Sequence, residues 1–154
     1  MPTYLLAFLI GIIAGLRSMT APAAVAWAAS FGWMPLEGTP FAFMASAAAR
    51  YILSALAILE LVADKLPRTP SRKSAMGFGG RIFTGALSGA TVGAAGHAWV
   101  AGLIAGVLGA IAGTFGGYEF RVRLVRAVGG KDLPIALLED VIAIGGAFVL
   151  LSRF

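Results

Sequence analysis

Arg17 sits inside an apolar segment that runs from Tyr4 to Ala29, and Pro22 follows five residues later. A guanidinium in such a segment must face a carboxylate, backbone carbonyls or water. The chain supplies suitable carboxylates. Glu60 and Asp64 are four residues apart and so share one face of a helix. Glu139 and Asp140 are adjacent in another apolar segment. Arg17 admits two readings. In the first, a half-helix starting near Thr20, with Ser18 beside it, points free N–H groups at an anion next to the guanidinium. The carboxylates Glu60, Asp64, Glu139 and Asp140 then serve proton coupling or cation binding. In the second, Arg17 makes a structural salt bridge to Glu60, Asp64 or Glu139, while Asp64 and Asp140 reach towards water. The salt bridge is the favoured expectation, because intramembrane charges usually pair.

Other chemistry finds little support. His97 has no second ligand at metal spacing and reads as a loop histidine. Ser18 has no histidine near it in sequence, so no nucleophile–base pair is visible and an enzyme is not expected. The absence of cysteine excludes disulfides and thiolate sites. Gly85, Gly89 and Gly93 repeat every four residues, but no strand precedes them and no Gly-Lys-Ser/Thr follows. They read as a helix-packing strip rather than a phosphate loop, and no cofactor or metal is expected.

The elements that must hold these residues follow from composition. Hydrophobic residues make up 59% of the chain and charged residues 12%, with a mean hydropathy of +0.89. A soluble domain carries about twice that share of charge. Continuous apolar runs, rather than alternation, favour helices over a β-barrel. The fold class expected is an all-α integral membrane protein of one domain, in contact with the lipid bilayer. About five transmembrane helices are expected, near residues 4–29, 41–66, 81–96, 100–120 and 132–152. Residues 81–120 are too long for one span and right for two. A cleaved signal peptide is not expected, since no Lys or Arg precedes the first apolar stretch and Arg17 interrupts it.

Local signals refine these spans. Pro22 removes a backbone donor, so the first helix is kinked or broken near Ser18–Pro22. A kink in a continuous helix is favoured; in a break, Thr20 would cap the second half. Arg50 falls mid-helix in the second span, unless that helix starts later than residue 41. Asp132 is placed as the cap of the last helix, with Pro134 in its first turn. Glu119 can pair with Arg123. Gly11 and Gly15, Gly85, Gly89 and Gly93, and Gly109 and Gly113 form small-residue faces that let helices approach closely. So many faces suggest a homo-oligomer.

The net charge of +5 comes from basic residues gathered in two stretches, near 65–81 and 121–131. Topology explains them better than nucleic acid, which is not an expected partner. Both stretches are placed in the cytoplasm, with the 31–40 loop and the His97 turn outside. Trp27, Trp33 and Trp99 then fall at the outer interface. The amino terminus is expected inside and the carboxyl terminus outside. A weak inverted repeat is also suggested: residues 9–15 (LIGIIAG) match 107–113 (VLGAIAG), and 56–62 (LAILELV) match 135–141 (IALLEDV).

Three stretches carry a resemblance: GLRSMTAP at 15–22, ELVADKLP at 60–67 and GGYE at 116–119. With these, most of the chain resembles a family of small bacterial multi-pass inner-membrane proteins catalogued as a domain of unknown function. The resemblance implies a bacterial inner-membrane location and no activity. The function expected from the residues is transport or channelling of a small solute or ion through an Arg/carboxylate site. The alternative is a membrane scaffold or assembly protein whose charges are structural. A lipid-head-group enzyme is the weakest alternative.

Overall fold

A computed structural model describes residues 1–66 and 74–154. Arg68, Arg72 and Lys73 of the first basic stretch lie outside the described residues. Six α-helices follow in order: α1 Thr3–Leu16, α2 Thr20–Ser30, α3 Ala47–Ala63, α4 Ala75–Ala95, α5 Trp99–Ala127 and α6 Asp132–Leu151. A short 3-10 turn, Ala42–Ala45, precedes α3. Among the described residues there is no strand.

The first apolar segment is two helices, not one kinked helix. Arg17 is extended (φ −138°, ψ 107°) and ends α1. Pro22 does not cause a kink. It sits in the first turn of α2, where the N–H it lacks would have no intrahelical partner anyway. Thr20 is the first helical residue, and Met19 occupies the cap position without a side-chain cap bond.

The contacts fix the direction of each helix. Gly11 meets Gly106 and Gly15 meets Thr114, so α1 and α5 run parallel. Gly93 meets Gly102 and Gly85 meets Ala110, so α4 and α5 are antiparallel. Along α6, Arg17 lies beside Asp140 and Ile13 beside Gly146, so α6 runs back along α1. Yet Thr20, Ala24 and Trp27 of α2 line one groove with Ile144 and Phe148, further along the same helix. Thus α1 and α2 lie on the same side of Arg17, and together they form a V-shaped hairpin with Arg17–Met19 at its apex. Thr3 packs on Gly96, and the Phe41 ring is 6.2 Å from Trp99, which closes the open end of the V.

This hairpin corrects three expectations. The amino terminus shares an end of the bundle with the 31–40 loop, the His97 turn and the carboxyl terminus, because residues 4–29 go in and come back. The two termini therefore lie at the same end of the bundle. The inverted repeat also fails. The matching segments of α1 and α5 run parallel, whereas those of α3 and α6 run antiparallel, so no single operation relates both pairs. Below, the end that carries Trp33 and Trp99 is the aromatic end, and the other is the charged end.

Helix boundaries shift for local reasons. The Ser46 side chain accepts the Ala49 N–H at 3.1 Å, so α3 starts there rather than at 41, and Arg50 lies in its first turn. Ser74 accepts the Gly77 N–H at 3.2 Å and starts α4 before residue 81. Helix α5 continues to Ala127 and carries Arg121, Arg123 and Arg126 on helix rather than in a loop. Gly129 and Gly130, at φ +81° and +85°, make the turn that follows, in a region that favours glycine. Lys131, not Asp132, holds the cap position of α6.

The seven expected packing glycines, Gly11, Gly15, Gly85, Gly89, Gly93, Gly109 and Gly113, all face another helix of the same chain. A methyl group on any of them would overlap a neighbouring helix. Used in this way, they supply no argument for an oligomer. The outer faces stay apolar. Leu59 and Val62 of α3, Phe83 of α4, Ile104 of α5, and Val141 and Val149 of α6 are all exposed.

Candidate functional site: a charged apex

Arg17 has no exposed surface. Its Nη1 donates to Asp64 Oδ2, and its Nη2 lies 2.5 Å from Asp140 Oδ1, outside hydrogen-bond angles. Its Nε is 4.0 Å from Glu139 Oε1. The end of α3 and the first half of α6 bring these carboxylates together from positions 75 and 76 residues apart in sequence. Cations then enter from the charged end. Lys65 Nζ lies 2.7 Å from Asp140, and Arg121 Nη1 lies 3.6 Å from Glu139 while also pairing with Asp132.

Glu60 does not pair with Arg17, which corrects one of the expected bridges. Its two oxygens accept the backbone N–H groups of Ser18 and Met19, at 2.7 and 2.8 Å. A carboxylate there answers both the free donors and the positive end of α2. The other arm of the V is answered in the opposite sense. Arg81 Nη1 donates to the carbonyls of Gly15 and Leu16, both at 2.8 Å, at the end of α1. The turn is thus held between an anion and a cation, each placed on the helix end of opposite sign.

The hydroxyls divide. Ser18 Oγ is 3.1 Å from Thr84 Oγ1. Thr20 Oγ1 is buried and has no hydrogen-bond partner among the described residues. All seven expected site residues, Arg17, Ser18, Thr20, Glu60, Asp64, Glu139 and Asp140, therefore fall in or beside one cluster.

Sequence reasoning missed Arg81, Arg121 and Lys65 as members. For Arg81 the signal was Ser74: a helix capped there puts residue 81 two turns in, and it is buried. For Arg121 the signal was the unbroken helical run to residue 127. His97 lies in the turn at the aromatic end, far from Ser18, with positive φ (59°). Among the described residues, no group of three or more acidic or histidine side chains is arranged to hold a metal ion.

These features define a class: an all-α protein, two of whose helices, Trp99–Ala127 and Asp132–Leu151, are long and apolar enough to cross a membrane. The chain belongs to the family described as a domain of unknown function (DUF4126), which matches residues 4–152. No curated protein and no solved structure matches it.

Proposed function

We propose that the protein is an integral membrane transporter or channel for a small solute or ion, with its site at the charged apex. The observation that carries this reading is the hairpin. At 14 and 11 residues, α1 and α2 are roughly 21 and 16 Å long, too short to cross a core of about 30 Å. They enter from the aromatic end, meet inside and return. Helix α5 passes beside the apex and runs on for a further 13 residues, from Thr114 to Ala127. Helices α4 and α6 likewise extend past the apex towards the charged end, whereas α3 ends level with it at Asp64, and together these helices pack around a re-entrant pair. Interrupted backbone at membrane depth is tolerated only inside protein or beside a cavity, and transporters use it to hold ions.

Under the positive-inside rule the charged end is cytoplasmic, and both termini are outside. Glu60 marks what the apex accepts: a carboxylate on two N–H groups. Beside it, Arg17 Nε and the Thr20 hydroxyl are buried without hydrogen-bond acceptors or donors of their own. A small anion that displaced Glu60 would find these donors in place, so a small carboxylate is the first substrate class to test.

The complete burial of Arg17 favours a second reading, a non-transporting scaffold in which the network only locks the hairpin. The chain has no cysteine, so single-cysteine labelling tests the topology cleanly. Cysteines at Thr3, Gly38 and Ser152 should label from outside, and one at Lys131 from inside. Flux into proteoliposomes of small carboxylates, inorganic anions and monovalent cations then tests transport, with Glu60→Gln and Arg17→Ala alongside. Uptake of one class that changes in Glu60→Gln supports the transporter. No uptake of any probe, with both variants merely less stable, supports the scaffold.

A further inference from the structure

A groove of about 180 Å³ lies between α2, α3 and α6. Thr20 and Leu61 are at its inner end, and Trp27 and Ser54 at its outer end. It runs roughly 10 Å, the rise of the seven residues from Thr20 to Trp27. Its walls are apolar, and Ala24, Ala57 and Ile58 contribute to them.

A cation stands beside the outer end, on the residues Trp27 and Ser54 that line it. Arg50 is one turn before Ser54, and the guanidinium lies 4.8 Å from the ring centres of both Trp27 and Tyr51. Ser54 Oγ donates to the Arg50 carbonyl at 2.7 Å and accepts Trp27 Nε1–H at 2.9 Å, which fixes this corner. Stacking on two rings orients a guanidinium but does not neutralise it. Arg50 makes no ion pair among the described residues, and its Nε is buried without an acceptor. Of the seven acidic residues, only Glu37 lies at this end, and it is exposed on the 31–40 loop. The tilted rings of Trp27, Phe31 and Trp33 pack around the same corner, as aromatic side chains do at the headgroup level.

We propose that this groove binds an anionic phospholipid. The headgroup phosphate pairs with Arg50, and one acyl chain lies along α2, α3 and α6 towards Thr20. Charge complementarity selects the occupant: an uncompensated arginine at the interface, with an apolar channel leading inward from it. Planar guanidinium donors suit phosphate oxygens. The proposal rests on the membrane reading above but not on transport.

The test is thermal unfolding of the detergent-purified full chain. It is titrated with phosphatidylglycerol, phosphatidylcholine of the same acyl chains, and inorganic phosphate. Fractionation of expressing cells is run beside it. Phosphatidylglycerol should raise Tm saturably, by roughly 5–10 °C at a hundred times its dissociation constant. Phosphatidylcholine should do less, and inorganic phosphate nothing. Arg50→Gln should remove the difference between the two lipids. Ala57→Phe, which fills the groove, should remove most of the shift with Arg50 intact. Equal shifts from both lipids, or a full phosphatidylglycerol shift in Arg50→Gln, would overturn the proposal and leave the membrane reading standing. A chain recovered in the soluble fraction would overturn both.

Discussion

The two halves of this bundle are held together by different physics. Helices α1, α4 and α5 meet backbone to backbone. Gly85 stands against Ala110, and Gly93 against Gly102 and the Ala98 carbonyl. Helices α2, α3 and α6 meet through side chains: an arginine among carboxylates at one end, stacked rings at the other and a groove between. In the glycine half, dispersion across close surfaces does the work, and it tolerates no added atoms. In the charged half, side chains of either sign compensate one another, and space remains. The two halves should therefore answer differently to substitution.

The largest expected effect should come from the rigid half. Gly109→Leu places a branched side chain in the backbone of α1 and should leave no monodisperse folded protein by size-exclusion chromatography. The milder Gly109→Ala should cost about 1–3 kcal/mol, an overpacking penalty. Gly79→Ala, on the same kind of helix but facing open space, should instead be neutral or stabilise by about 0.5–1 kcal/mol. If the two alanines shifted Tm alike, the contrast between the halves would fail.

Next comes the apex. Arg17→Met strands Asp64 and leaves Asp140 with Lys65 alone, and should cost about 3–5 kcal/mol. Adding Asp64→Leu and Asp140→Leu should recover part of that loss, because no carboxylate is left facing the missing guanidinium, although Lys65 then loses Asp140. Simple additivity in such a cycle would show that the three do not act as one unit.

Glu60→Ala removes the acceptor for the Ser18 and Met19 N–H groups. A lost cap of this kind costs about 0.5–2 kcal/mol. Amide exchange at those two positions should speed up while α4 and α5 keep their protection. Unchanged exchange would mean that the apex does not depend on Glu60.

The smallest effect belongs to the rim. Asp132 is paired with Arg121 but its side chain is 59% exposed. Asp132→Asn should therefore change stability by less than about 1 kcal/mol, and less still at high salt. A larger loss would make the rim part of the locked network.

Several parts of this arrangement were legible in the residues. The four-residue glycine spacing placed Gly85, Gly89 and Gly93 on a packing face, because helical periodicity alone puts such residues in line. The isolation of Arg17 in an apolar run predicted pairing, because an unpaired buried charge is too costly. Of the three partners expected for Arg17, Asp64 bonds it and Glu139 lies 4.0 Å away, but Asp140, expected to reach towards water, was not among them. Asp140 rather than Glu60 faces the guanidinium because α6 runs back along α1, and nothing within either segment encodes that crossing.

The same limit explains the hairpin. Residues 4–29 are apolar throughout and long enough to span a bilayer, so length and hydropathy favoured one kinked helix. A reversal depends on what waits at the apex. Glu60 arrives from α3 and Arg81 from α4, each on the helix end of opposite sign, and they make a chain break inside the bundle affordable. The sequence by itself determined the helical class, the glycine faces and the set of charges that must be compensated, because these follow from composition and period. Only the tertiary structure decided that the first segment turns back at Arg17 and which charge answers which, because compensation is a property of neighbours in space.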